Sequence, residues 1–290
     1  MTNIQKAHVI DALREKYELD ELLEQLRLPR SSYYYARIHQ VCDKYADLRE
    51  QVRSAFSESN ATYGYRRIHA KIQETYGKVS EKVIRRIMHD EQLKVACIKV
   101  RRYSSYEGEI SPEVPNLVNR NFHAEEPYQL ILTDITEFHI PAGKVYLSPA
   151  IDCYDGMPVA WTIGTSPNAS LVNTMLDSVI SQLKPGERPI IHSDRGGHYR
   201  WPDWIKKVED AGLTRSMSRK GCCADNSACE GFFGHMKTEM FYGRPWENVS
   251  LEDFIKVVDQ YMKWYRETRI KESLGYLSPI EYRRRKGFIT

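Results

Sequence analysis

The sequence predicts a mixed α/β sheet domain preceded by an all-helical basic region and followed by a helical tail. Three observations carry this: the hydrophobic period changes from helical to strand-like near residue 128, strand-like and helical runs then alternate, and charge is distributed unevenly along the chain. A length of 290 residues fits about two domains. With 41% hydrophobic and 28% charged residues the chain can bury a core, which excludes a disordered polyelectrolyte.

The elements follow in order. Leu13, Leu19, Leu22, Leu23 and Leu26 recur at three- and four-residue spacings, as on helix faces, until Pro29 interrupts them. LPRSSYYYAR then opens a further helix, with Ser31 or Ser32 as expected caps. At helical spacing, at least one of Tyr33, Tyr34 and Tyr35 belongs to a core. Residues 63–95 read as a helical pair, stopped at Gly77 and restarted at Ser80. Arg66, Arg67, Lys71, Lys82, Arg85 and Arg86 on this pair suit a helix-turn-helix DNA reader, although a basic solvated helix face has the same composition. Ser104, Ser105, Gly108, Pro112, Pro115 and Pro127 mark residues 103–127 as a linker. QLILTDITEFHI, KVYLSPAIDCYD and MPVAWTIGTS are three strands of a meander. A helix, a strand (RPIIHSD), a helix, a short strand (LTRSMS) and a helix from about Asn226 complete a five-stranded mixed sheet. The divisions are 1–45, an N-terminal helical segment; 46–102, the helix-turn-helix-like basic region; 103–127, the linker; 128–241, the sheet domain; and 242–290, a helical extension with a basic tail.

The net charge of +3 conceals a cancellation. Residues 51–102 hold twelve basic and five acidic side chains, whereas residues 126–235 hold ten and thirteen. Arg283, Arg284, Arg285 and Lys286 add a basic run near the end. No apolar run approaches the 18 residues of a membrane span, and the N-terminus lacks the apolar stretch of a signal peptide. Six cysteines without framework spacing point to reduced thiols in a cytoplasm.

Three carboxylates attract the chemistry. Asp134 lies inside the first strand among Leu130, Leu132, Ile135 and Phe138, where burial calls for a partner or a cation. Asp194 ends the fourth strand before Gly196 and Gly197, a place where ligands of open sheets collect. Glu230 follows on the last helix of the domain, with Asn226, Glu230, Phe233 and Lys237 spaced for one face. Oxygen ligands of this kind suit two Mg²⁺ ions, or Mn²⁺, which would activate an attacking oxygen and stabilise a leaving one at a phosphodiester. The structural alternatives are a capping box joining Ser227 to Glu230, a turn role for Asp194 and an edge-strand charge at Asp134. Cys222, Cys223, Cys229 and His235 lack the paired spacing of a zinc knuckle. His192 and His198 flank Asp194, and a structural role suits them best.

LTDITEF, HSDRGGHY, MSRKGCCADNSACEGFFGHMKTE and RIKESLGYLSPIEY together resemble the DDE transposases of the insertion-sequence-three family, in the product of their second reading frame. Fifty-nine residues separate Asp134 from Asp194, and 35 separate Asp194 from Glu230; this D-D-35-E spacing is shared with retroviral integrases. The resemblance implies an RNase H-like integrase catalytic core in which Asp134, Asp194 and Glu230 are catalytic and hold two divalent metal ions. It implies that Lys237 contacts DNA near the cleavage site and that YGYRRIH belongs to a helix-turn-helix-like segment. With Arg66, Arg67, Lys71, Arg85, Arg86 and Asn226, Lys237 completes the expected DNA-binding set. The implied activity is metal-dependent cleavage and strand transfer at insertion-sequence ends, followed by integration into target DNA. The implied partners are terminal inverted repeats, target DNA, further copies of the chain and an upstream reading-frame product joined as a frameshift fusion. The implied location is a bacterial cytoplasm, at the nucleoid. Two alternatives are a metal-dependent nuclease of the same fold and a catalytically inert, transposase-derived DNA-binding regulator.

Overall fold

A computed structural model describes residues 1–39, 45–95 and 114–289 of the chain. The helical region comprises α1 (Asn3–Leu13), α2 (Leu19–Gln25) and α3 (Arg30–His39), then α4 (Ala46–Glu58), α5 (Tyr65–Thr75) and α6 (Glu81–Asp90). The sheet domain holds β1 (Leu130–Thr133), β2 (Thr136–Ile140), β3 (Gly143–Asp152), β4 (Pro158–Gly164), α7 (Ala169–Ile180), β5 (Ile190–Ser193), α8 (Pro202–Asp210), β6 (Thr214–Met217) and α9 (Ser227–Met236). The chain closes with α10 (Leu251–Glu267) and α11 (Pro279–Arg285).

Two N-terminal caps differ from expectation. α3 starts at Arg30, so Ser31 and Ser32 lie inside its first turn instead of capping it. Ser80 does precede α6, but its hydroxyl makes no capping bond there. α4, α5 and α6 close on Leu48, Val52, Ile68, Ile72, Ile84 and Ile87, the buried members of each helical face.

Among the described residues the sheet contains six strands where five were expected. The first expected strand is divided in two: β1 and β2 both pair antiparallel with β3 and keep one register across the break, from Thr133 opposite Ala150 to Thr136 opposite Leu147. That register sets Pro149, which has no N–H for a ladder, opposite Asp134. The Ile135 N–H donates instead to the Asp134 side chain at 2.7 Å. Asp134 therefore occupies a gap between strands. Across the sheet the order is β4, β3, the β1 and β2 row, β5 and β6, with β5 parallel to both β1 and β6.

Strand alternation sorts the core into two layers. Leu130, Leu132, Phe138, Ile140, Val145 and Leu147 face α9 and α10, burying Phe232, Phe233, Met236, Phe254, Val258 and Met262. Ile131, Ala150 and Val159 face α7 and α8, burying Val172, Met175, Leu176, Trp204 and Val208. α10 thus completes the layer that α9 begins.

Residues 103–113 of the expected linker, and 40–44 and 96–102 of the segments before it, lie outside the described residues. Residues 114–127 do not form a loose tether. Val118 and Ala124 are buried in the α9 layer, and the Leu117 N–H donates to the Ser216 hydroxyl at 2.9 Å. Arg283, read from the sequence as part of the basic tail, is buried: it donates to both Asp152 and Asp155 at 2.7 Å. It stands one helical turn after the buried Pro279, on the inner face of α11. Among the described residues, no helix is long and apolar enough to cross a membrane.

Candidate functional site

Two of the three carboxylates come together through sheet topology. β1 and β5 are adjacent and parallel, with Thr133 opposite Ser193. Asp134 and Asp194 are the next residue of each strand, so both leave the sheet at the same edge. They line one cleft of about 310 Å³ with Ile135, Glu137, Tyr146, Pro167, Gly196, Gly197, His198 and Tyr199.

Each carboxylate is aimed by short local bonds. Asp134 Oδ1 accepts from the Ile135 N–H, and its Oδ2 accepts from Asn226 Nδ2 at 3.1 Å. Asp194 Oδ1 accepts from the Gly196 N–H at 2.8 Å. A Cβ at Gly196 would stand 2.8 Å from that same oxygen, which explains glycine at this position. The turn role considered for Asp194 is therefore real, and it fixes the carboxylate at the cleft.

Burial raises the Asp134 carboxyl above its ordinary range; the charge of Asp194 pushes it further, and Glu230 adds a smaller push. Asp194 is raised as well, by burial, even though the Gly196 N–H, His198 and Arg200 favour its charged form. Lys237 favours the charged form of Asp134. Its ammonium lies 5.5 Å from the Phe138 ring centroid, and burial lowers its own pKa.

Glu230 stands on α9, the helix expected for it, but does not line the cleft with Asp134 and Asp194. It projects from the first turn of α9 and is exposed, because Cys229, Phe232, Phe233 and Met236 take the buried face. Among the described residues, no three His, Cys, Asp or Glu side chains form a group that could hold a metal. Three members of the expected face, Asn226, Glu230 and Lys237, do act on Asp134, by an amide bond and by their charges, but their settings differ. Asn226 is the N-cap residue of α9 and is buried against Asp134, where it was expected to meet DNA; Phe233 is core; and Lys237 begins a π-turn, Lys237–Phe241. The Ser227–Glu230 capping box is absent, since Ser227 is already the first helical residue.

The two carboxylates in the cleft fit a divalent cation. Both are raised by burial, and Asn226 Oδ1 beside them is a buried oxygen without a hydrogen-bond partner among the described residues. His192 serves structure: its ring nitrogens lie 2.9 Å from the Ser216 hydroxyl and from the Asp225 carbonyl oxygen.

Asp225 was missed in the sequence. It is buried, accepts from Arg219 and Arg120 at 2.8 Å and from Asn116 at 2.8 Å, and so ties the start of α9 to residues 114–120. Its only sequence signal is its place one residue before Asn226. Glu239 was missed too. It sits in the π-turn and accepts from Arg269 at 2.8 Å and from the Tyr261 hydroxyl at 2.7 Å.

The expected DNA-binding residues divide. Arg66 and Arg85 are exposed and lie 5.7 and 5.6 Å from the Tyr65 ring centroid, so α5 and α6 present one cationic and aromatic face. Arg86 is exposed over Tyr45, and Lys71 is half-buried on α5. Arg67 turns inward, 3.9 Å from Glu239. Nearby, the Ile270 N–H donates to the Tyr63 hydroxyl at 2.9 Å, so the helical region is docked on the end of α10 and the chain beyond it.

An edge-of-sheet acidic cleft behind a basic helical region defines a class, and comparison with known proteins agrees. The family described as HTH-like domain matches residues 44–102, and the family described as Integrase core domain matches residues 124–223 and 230–286. The chain is 54% identical, over its full length, to the probable transposase for insertion sequence element IS1353 of Shigella flexneri, and spans 57% of that relative. It is 39% identical over 95% of its length to the putative transposase InsK for insertion sequence element IS150 of Escherichia coli strain K12, and spans 96% of it. The HTLV-2 integrase catalytic core domain in complex with magnesium is similar at a TM-score of 0.38 and 14% identity, over 50% of this chain and 89% of that one. The chain belongs to the transposases of insertion sequence elements, in the insertion-sequence-three family.

Proposed function

We propose that the chain catalyses metal-dependent DNA cleavage and strand transfer at the ends of an insertion sequence, and its integration into target DNA. The observation that carries this reading is the pair Asp134 and Asp194, set at the ends of adjacent parallel strands and raised by burial. Asp134 and Asp194 would hold Mg²⁺, as two ions once Glu230 is drawn in, and Mn²⁺ would substitute. The bound metal supplies Lewis-acid activation of the attacking oxygen and stabilisation of the leaving oxygen.

The protein's own groups perform the positioning. Asn226 and the Ile135 N–H hold the Asp134 carboxylate in place, and the Gly196 N–H holds that of Asp194. Lys237, half-buried over Phe138, offers a cation to a DNA phosphate beside the cleft. Arg66, Lys71, Arg85 and Arg86 on α5 and α6 grip the duplex of the inverted repeat, where Tyr65 gives the arginines an aromatic rest. Two DNA ends must be held together, which favours a homo-oligomer. Since the chain spans 57% of one relative, fusion to an upstream reading-frame product is part of the proposal, as is action at the nucleoid in a bacterial cytoplasm.

Asp194→Asn tests the reading in Mg²⁺ on a DNA fragment carrying the element's own end. Cleavage and strand transfer are expected to fall at least about a thousandfold while end binding persists. Normal strand transfer by this variant overturns the assignment, and wild-type products that are cut but never joined favour a nuclease instead.

A further inference from the structure

Residues 1–39 form a three-helix unit with its own core. Ala7 and Ile10 of α1, Leu19, Leu22 and Leu23 of α2, Leu28 of the connection, and Tyr33 and Ala36 of α3 pack together. α2 and α3 are joined by residues 26–29 alone. Within that joint Arg27 has φ 48°, the left-handed conformation that a tight helix-turn-helix joint uses and that glycine usually fills.

The second helix of this pair is two-sided. Tyr33 and Ala36, three residues apart, are buried, and the Tyr33 hydroxyl donates to Asp11 of α1, which fixes the rotation of α3 about its axis. Arg30, Ser31, Tyr34, Tyr35 and Arg37 are exposed. α3 carries no acidic side chain, whereas α2 carries Asp20, Glu21 and Glu24. Arg30 pairs with Asp20, and Arg37 with Asp11. The Arg30 pair is widely exposed, and such pairs exchange readily for a phosphate. Beside α3, a groove of about 560 Å³, mostly apolar in surface and without charge, sets the hydroxyl-bearing Thr2, Ser31, Ser32 and Tyr35 beside Asn3, Ile4 and Ala36. Guanidinium groups flanking hydroxyls and phenols on the leading turns of a second helix suit phosphates and base edges of a duplex.

We infer that α2 and α3 form a second DNA reader, separate from α4 to α6, with α3 as the helix that enters the major groove of the element's end. The inference rests on the strand-transfer reading above, because that reading supplies the duplex. Two readers separated by a few residues of chain contact neighbouring stretches of one DNA end. The protected site is then longer than one helix-turn-helix unit covers.

Hydroxyl-radical footprinting of the full chain on the terminal DNA of its own element tests this. The variant Arg30→Ala/Ser31→Ala/Tyr35→Ala leaves the buried Tyr33 and Ala36 untouched. It is expected to bind the end roughly 10- to 100-fold more weakly and to lose protection over about one helical turn. Protection of the remaining stretch should persist, and Arg66→Ala/Arg85→Ala should lose that stretch instead. An unchanged footprint and affinity in the α3 variant overturns the inference. So does a change confined to sedimentation, which would assign the face to contact between copies. Wild-type protection over both stretches without strand transfer sinks the catalytic reading and leaves this one standing.

Discussion

Asp225 and Asn226 are neighbours in the chain, yet they serve two carboxylate sites that the fold treats in opposite ways. Asp225 is buried, and its hydrogen bonds to Arg219, then to Arg120 and Asn116, outweigh that burial and hold its carboxyl far below the usual carboxylate range. Asn226 turns to Asp134, whose contacts are an amide and a backbone N–H, and there burial wins and raises the carboxyl. The two sites differ in whether the protein supplies enough positive charge. A carboxylate neutralised from within is a fastening; one held in place but under-neutralised is ready for a cation from outside.

The largest effect should come from removing an internal cation. Arg283→Met leaves Asp152 and Asp155 buried without their guanidinium, which recreates in the core the condition of the cleft. A loss of about 3–5 kcal/mol is expected in urea denaturation, and a loss below about 1 kcal/mol would break the comparison.

Asp225→Asn should cost about 1–3 kcal/mol at pH 7, since it weakens charge-assisted bonds at a buried group. The folded pKa of Asp225 lies below its unfolded value. Its stabilisation is therefore present above the ordinary carboxylate range and is lost as pH falls through that range towards the folded value. Unfolding midpoints of wild type and variant should converge in acid; a gap that stays constant with pH contradicts the assignment.

The smallest effect has the opposite sign. Asp134 has a raised folded pKa, so its contribution is present below the unfolded value and is lost as pH rises through the folded one. In chelator, Asp134→Asn should be more stable than wild type by about 1–2 kcal/mol at pH 8, with no gain at pH 4. Mg²⁺ should raise the wild-type midpoint and leave that of the variant nearly unchanged. A variant less stable than wild type at pH 8 would show Asp134 to be a fastening like Asp225.

The order of helices and strands was legible because each depends on local period and punctuation. The run RPIIHSD gives β5, and Gly77 with Ser80 brackets the turn before α6. The two aspartates were legible for a related reason: an acid inside an apolar run, as Asp134 was read, or closing one, as Asp194 was, is visible in one dimension. What was not legible depends on pairing across the chain. The break at Asp134 arises from Pro149 in a different strand, and the partners of Asp225 lie 105 and 109 residues away at Arg120 and Asn116. Arg283 looked like part of the basic tail because its acids sit in and just after β3, far upstream. Glu230 was placed on the right helix, but its exposure follows from the phase with which α9 packs on the sheet, and spacing alone does not fix that phase.

The docking of the helical region has a consequence for exchange of parts between relatives. Tyr63 bonds to the backbone of Ile270, and Arg67 shares Glu239 with Arg269. A graft that transfers α4 to α6 from another relative brings in a foreign surface opposite Glu239, Trp264 and Ile270. The helical region and the part of the chain it docks on are bolted together by residues on both sides of the junction. They would have to be transplanted as one piece.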